Sequence, residues 1–226
     1  MFKGPIEAVI FDMDGLLIDS EAVYIKAMQA AARAVGRDMS LAFCHSMVGI
    51  PSRECNLMIQ ELYGAGFELA EFRKHVSAEV KALFAERIPV KPGVVELLDC
   101  LDELGLPRAV ATSAGRATAE HHLGRAGLLD RFAALTTRDD VEHPKPHPDI
   151  YLLAARRLGV VPGRCVAFED SGVGLTAAHA AGTMAIMVPD ILQPPPDIRA
   201  KALAVLPDLH AARDLLRQAL PAARSR

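Results

Sequence analysis

Ala8-Val9-Ile10-Phe11-Asp12-Met13-Asp14-Gly15 is the stretch on which the reading of the fold turns. Its first four residues are apolar and rich in β-branched and aromatic types, the pattern of a strand buried on both faces. The strand runs directly into two carboxylates one residue apart and then a glycine. Side chains alternate along an extended chain, so Asp12 and Asp14 share a face and can look into one small volume at the strand's carboxyl end. In open α/β sheets ligands bind outside that end. Two like charges so close repel each other, so a cation, a proton or both belongs between them. An acidic turn is the competing reading, because Asp and Gly are ordinary turn residues.

Outward from this strand the chain changes texture twice. Asp19 and Ser20 are good helix caps, and alanine-rich helical patterning follows over 21–35, ended by Gly36. Further helices are predicted from about Ser40 to just before Gly49-Ile50-Pro51, over 53–63 with Ser52 as cap and Gly64-Ala65-Gly66 as breaker, and over 69–86. Beyond Pro89 and Pro92-Gly93, helices alternate with short apolar strands. The strands are predicted at 108–111, weakly at 133–135, at 165–168, at 185–188 and in the apolar run 202–206. The helices are predicted at 94–104, 116–124, 149–158, 172–181 and 210–220. Such alternation implies a parallel sheet covered on both faces. The predicted fold class is therefore α/β, a Rossmann-like parallel sheet core with an inserted all-helical cap domain. The core takes 1–17 and 88–226, and the cap takes 18–87. A structureless excursion of that length is implausible, whereas a separately packed helical module is not. Its crossings, near 16–19 and 88–92, are hinge candidates, and the module is expected to hang over Asp12 and Asp14 as a lid. Gln193-Pro194-Pro195-Pro196 reads as a rigid connector and 221–226 as a frayed tail.

Composition narrows the function classes. The chain has 226 residues, is 51% apolar and 23% charged, and carries a net charge of -3. That gives no basic field for nucleic acid and no charged interaction tail. The four cysteines, Cys44, Cys55, Cys100 and Cys165, form no C-x-x-C pair and read as free buried thiols of a reducing compartment. No stretch reaches the ~18 apolar residues of a membrane span, and acids interrupt the N-terminal apolar run, so no signal peptide is expected. The expectation is a cytoplasmic protein, a monomer, with neither nucleic acid nor membrane as partner.

Three more segments place polar groups at strand ends or helix starts. Val110-Ala111-Thr112-Ser113 puts a hydroxyl at a strand's carboxyl end. Pro144-Lys145-Pro146-His147-Pro148-Asp149 is a stiff segment with one lysine before a helix. Val166-Ala167-Phe168-Glu169-Asp170-Ser171-Gly172 ends a buried strand in two acids. Singly each reads as surface or cap chemistry, but a parallel sheet gathers these ends at one edge, where together they make an active site. Ionised Asp12, Glu169 and Asp170 would repel a phosphate dianion, since one pair of unit charges at 4 Å costs ~4 kcal/mol at an effective dielectric near 20. One lysine cannot offset that. An oxygen-only ligand set suits Mg²⁺, which also orients a phosphoryl group, and no Cys/His cluster with zinc spacing competes.

Asp12-Met13-Asp14-Gly15, Thr112-Ser113, Lys145-Pro146 and Glu169-Asp170, in that order, resemble the four motifs of the haloacid-dehalogenase-like phosphotransferase superfamily. The branch resembled holds β-phosphoglucomutase and many small-metabolite phosphatases, and its cap sits where the helical insert lies. The resemblance implies a Mg²⁺-dependent enzyme whose partner is a small phosphorylated metabolite. It implies that Asp12 attacks phosphorus and carries an aspartyl phosphate, while Asp14 protonates the leaving oxygen and later deprotonates water. It further implies that Asp12, the backbone carbonyl of Asp14 and Asp170 hold the metal, with Glu169 a further ligand or a supporting partner. Thr112, Ser113 through side chain or backbone, and Lys145 are implied to bind the transferring phosphoryl oxygens.

True dehalogenases of this fold lack the acid two residues after the first, so Asp14 speaks for phosphoryl transfer. The mutase reading is the nearest rival. β-Phosphoglucomutase carries a histidine on its first cap helix, and Tyr24 stands at that position here. Ala111-Thr112-Ser113-Ala114-Gly115 and Met187-Val188-Pro189-Asp190 look closer to pseudouridine-5'-phosphate phosphatases, which favours a hydrolase. Receiver domains of two-component signalling combine similar groups but are about half as long and lack the insert. Arg53 opens a cap helix; in the mutase branch a similar arginine touches the substrate's non-transferring part, and an exposed first-turn arginine is the alternative. Arg53 and Tyr24 are the substrate-binding candidates of the insert.

Overall fold

Strand β1 (Ala8–Phe11) is fully buried and lies between two parallel neighbours in a computed structural model that describes residues 2, 4–48, 50, 52–64, 66–86 and 88–220. The chain then forms α1 (Ser20–Ala34), α2 (Leu41–Ser46), α3 (Ser52–Tyr63), α4 (Leu69–Glu86), α5 (Val94–Glu103), β2 (Arg108–Ala111) and α6 (Arg116–Arg125). It continues through β3 (Ala134–Thr136), α7 (Asp149–Leu158), β4 (Cys165–Glu169), α8 (Gly172–Ala180), β5 (Met184–Met187), α9 (Pro196–Arg199), β6 (Ala204–Val205) and α10 (Leu209–Ala219). The residues group into two units, Met1–Ile18 with Pro89–Arg226, and Asp19–Ile88.

The first unit holds a parallel six-stranded sheet in the order β3-β2-β1-β4-β5-β6. The chain moves from β1 to β2 and β3 on one side, then returns to β4 on the other. β1 and β4 therefore flank the point where strand order reverses, the place at which such sheets open a crevice beyond their carboxyl ends. One sheet face is built from small residues, Ala8, Ala109, Ala111, Ala167 and Ala185, which let α7 and α8 pack closely through Ile150, Tyr151, Ala154, Leu175 and Ala178. By alternation Phe11 and Phe168 turn to the opposite face, where their rings stack with centroids 5.5 Å apart. Complete burial of Ile10 and Phe11 stabilises the sheet by roughly 2–3 kcal/mol each.

The second unit is helical. Asp19 caps α1 by accepting from Ala22 N–H, and Ser40 caps α2 by accepting from Phe43 N–H. Ala27, Ala31 and Ala32 of α1 are buried, and α1 and α4 pack along each other, with Phe72, Val76 and Phe84 on the buried side of α4. Among the described residues no helix is long and apolar enough to cross a membrane.

Most expected elements stand within a residue or two of their predicted ends, with four differences. Ser52 is the first residue of α3 rather than the cap before it. β4 runs one residue further, so Glu169 is still strand. The last residue of the connector 193–196, Pro196, is already the first of α9, where a proline costs no helical hydrogen bond. Cys44, Cys100 and Cys165 are free and buried as expected, whereas Cys55 is only half-buried. The expected tail at 221–226 lies outside the described residues, as do Gly49, Pro51 and Ala65 of the expected links.

Candidate active site

The sheet register assembles the site. Phe11 pairs with Val110 on one side and Phe168 on the other, so the next residues along, Asp12, Ala111 and Glu169, line up across three adjacent strands. Asp12 N–H donates to Phe168 O at 3.0 Å, which carries the pairing one step past β1. Asp12 and Glu169 follow Phe11 and Phe168, so alternation turns both toward the α7 and α8 face. Carboxylate oxygens of Asp12, Glu169 and Asp170 all lie within 4.8 Å of one another.

Lys145 enters from the loop before α7 and is 4% exposed at its side chain. Its ammonium donates to Asp12 Oδ1 at 2.5 Å, Glu169 Oε1 at 2.6 Å and Ala111 O at 2.9 Å. Those three bonds equal the number of N–H groups an ammonium owns. Thr112 is buried at the end of β2; its Oγ1 accepts from Ala114 N–H at 3.0 Å and its N–H donates to Thr136 O. Ser113 is exposed beside it. Asp12, Asp14, Thr112, Ser113, Lys145 and Asp170 line one cavity of about 210 Å³, with Val173 and Gly174 of α8 also on its wall.

The electrostatics follow from burial. Desolvation, opposed by Lys145 and reinforced by Glu169, pushes the Asp12 carboxyl up to about 7. Burial, with the charges of Asp12 and Glu169, holds Asp170 well above the ordinary carboxylate range. Although burial alone would lower it, Asp12 and Glu169 hold the Lys145 ammonium above its ordinary range. Three clustered acids facing one ammonium thus carry more negative charge than the site neutralises by itself. The surplus calls for protons or a cation, and the donors are all hard oxygens at mutual distances one divalent ion can bridge. The set fits Mg²⁺.

Of the residues singled out in the first unit, Asp12, Asp14, Thr112, Ser113, Lys145 and Asp170 thus line one cavity, whereas Glu169 does not line it and is fully buried on Lys145. The Asp14 carboxylate is not part of the three-acid set. Gly15 follows at φ +82°, with no room for a β-carbon beside the Asp170 carboxyl. In the second unit, Tyr24 lies on α1, 48% exposed, and Arg53 is exposed in the first turn of α3. Tyr151 and Ser171 carry no site role in the sequence reading, and Gly174, read there as permitting close helix–strand packing, lies directly against the Glu169 carboxylate. Tyr151 OH donates to Glu169 Oε1 at 2.5 Å, and Ser171 Oγ to Glu169 Oε2 at 3.2 Å. The one available signal was a tyrosine at a core position of α7, since a buried phenol needs a partner.

The model of a haloacid dehalogenase-like hydrolase family matches residues 6–182. The chain belongs to that family. Within it, a phosphorylated carbohydrates phosphatase of Thermotoga maritima is 38% identical over 177 residues, covering 78% of this chain and 82% of that one. A family hydrolase from Deinococcus radiodurans, solved with bound phosphate and sodium, superposes with a TM-score of 0.82 at 27% identity, covering 97% of this chain and 99% of that one. A β-phosphoglucomutase from Clostridium difficile gives a TM-score of 0.66 at 25% identity, covering 95% and 96%. The protein is an enzyme of the family's phosphatase kind.

Proposed function

We propose that this enzyme is a Mg²⁺-dependent phosphomonoesterase of small phosphorylated metabolites, sugar phosphates foremost, working through an aspartyl phosphate on Asp12. The observation that carries the reading is the three-acid set of Asp12, Glu169 and Asp170 closed by the buried ammonium of Lys145. The resemblance to a carbohydrate-phosphate phosphatase supports the substrate class.

Asp12, Asp170 and the Asp14 carbonyl would hold the metal, with Glu169 a further ligand or a supporting partner. Bound there, Mg²⁺ supplies positive charge against the phosphoryl oxygens and orients them. Asp12 attacks phosphorus as a carboxylate, and the bond from phosphorus to the ester oxygen breaks. Asp14 gives its proton to that leaving oxygen. In the second half Asp14 takes a proton from water, whose oxygen attacks phosphorus and releases inorganic phosphate and the Asp12 carboxylate. Lys145, Thr112 and Ser113 hold the transferring oxygens throughout. Arg53 and Tyr24 belong to this proposal as residues toward the substrate's non-transferring part.

A mutase reading is favoured by the likeness to the Clostridium enzyme and opposed by Tyr24 at the position of the mutase's histidine. One experiment tests both. A panel of sugar phosphates, nucleotides and phosphoglycolate is incubated with Mg²⁺, and released phosphate is followed beside glucose 6-phosphate formed from glucose 1-phosphate. Phosphate release that EDTA and Asp12→Asn both abolish is the expected result. Turnover that survives either treatment overturns the mechanism, and isomer formation without phosphate release establishes the mutase.

A further inference from the structure

Tyr151 is the residue near the site that this mechanism leaves without a task. It is 0% exposed, and its hydroxyl donates to Glu169 Oε1, the same oxygen that accepts from Lys145. The Lys145 ammonium also stands over the Tyr151 ring, 5.1 Å from its centroid. A phenol buried for packing alone is satisfied by any backbone carbonyl, whereas this one is directed at the carboxylate that grips the lysine.

We infer that Tyr151 is a positioning residue that fixes the Lys145 ammonium through Glu169. A carboxylate oxygen has two lone-pair sites, and on Oε1 Tyr151 and Lys145 fill both. Ser171 Oγ takes Oε2, so the carboxylate is pinned at both ends and cannot rotate. Lys145 has its three N–H groups on Asp12, Glu169 and Ala111 O. To receive a phosphoryl oxygen it must release one of them. The bond to Asp12 is the one that exchanges, because that carboxylate takes the phosphoryl group. The other two bonds then act as a fixed hinge pin, and Tyr151 keeps one of them in register. Without the hydroxyl, Oε1 keeps only the lysine, and Glu169 gains freedom to turn and carry the ammonium with it.

The inference rests on the proposed roles of Asp12 and Lys145, and the test separates the two. Tyr151→Phe keeps the ring and its approach to the ammonium and removes the hydroxyl. Loss of such a supporting partner is expected to lower kcat by about 10-fold with KM within about 2-fold of wild type. Affinity for orthovanadate with Mg²⁺, measured by calorimetry, should fall by a factor close to that of kcat. In a Glu169→Gln background the same substitution should change kcat by less than about 2-fold, because its route is gone. Wild-type kcat and vanadate affinity in Tyr151→Phe overturn the inference, as does a full effect that persists beside Glu169→Gln. An active Asp12→Asn enzyme overturns the mechanism instead. Tyr151→Leu, which removes the hydroxyl and the aromatic face together, should fall below Tyr151→Phe; equal activities of the two would overturn the contribution of the ring.

Discussion

A β-carbon on Gly174 would occupy the space already filled by the carboxylate of Glu169. Glu169 is fully buried and held by Lys145, Tyr151 and Ser171, so it cannot step aside as an exposed side chain would. Gly174 N–H also donates to Ser171 Oγ at 3.1 Å, which locks the start of α8 against the same carboxylate. Gly174→Ala is predicted to cost about 1–3 kcal/mol of stability through overpacking and to lower kcat/KM by at least about 10-fold. Urea unfolding and phosphate-release kinetics check the two halves separately; wild-type values in both would show that the carboxylate has room to move.

Gly15 presents the second close approach. Its φ of +82° disfavours any side chain, and an added β-carbon would run into the Asp170 carboxyl. Asp170 is one of the three clustered acids, so displacing its carboxyl disturbs that cluster directly. Gly15→Ala is therefore predicted to act mainly on the metal site, raising the Mg²⁺ concentration for half-maximal activity by about 10-fold or more. A Mg²⁺ titration of activity reads this directly. An unchanged midpoint with lowered stability would mean that the backbone strain was absorbed elsewhere.

Arg53 carries a prediction about substrate choice. It is exposed in the first turn of α3, while Arg73 of the same unit is tied to Asn56. Arg53→Ala should raise KM for a sugar phosphate several-fold more than for p-nitrophenyl phosphate, because removing an interaction that is equally strong in ground and transition states moves KM alone. Equal effects on both substrates would remove Arg53 from substrate selection.

What the residue order made legible was whatever depends on local pattern. Ala8–Phe11 is apolar at every position and proved fully buried, and the acids after it could be placed at a ligand-binding edge by alternation alone. Edge strand β3, with two half-buried residues, gave a weaker signal and was expected one residue early. The Tyr151–Glu169 bond was illegible for a different reason: its partners are 18 residues apart on a helix and a strand, and in α7 Tyr151 occupies a position that reads as core. The cluster around Asp140 was missed likewise, because Arg116, Thr137 and Arg157 come from three segments with no shared motif. Pattern reports which face a residue takes, not which distant group meets it there.

That cluster supplies a pH-dependent prediction. Arg157 donates to Asp140 Oδ1 at 3.0 Å, Arg116 to Oδ2 at 2.7 Å, and the N–H and Oγ1 of Thr137 to Oδ2 at 2.8 and 2.9 Å. The Arg157 guanidinium first, then Thr137 and Arg116, hold the Asp140 carboxyl well below the usual carboxylate range. A carboxylate whose folded pKa lies below its unfolded one adds stability at pH values above the unfolded pKa. It loses that contribution as pH falls through the folded one. Both arginines are about a third exposed, so solvent screening limits the gain. Asp140→Asn is predicted to lower stability at pH 7 by roughly 1–2 kcal/mol, and the gap from wild type should narrow as pH drops from about 4 toward 2. Urea midpoints of both proteins from pH 7 down to about pH 2 test the sign. A gap that widened in acid would mean that Asp140 enters the folded state as a neutral carboxyl, and the ion pairs from α6 and α7 to the turn after β3 would need a different account.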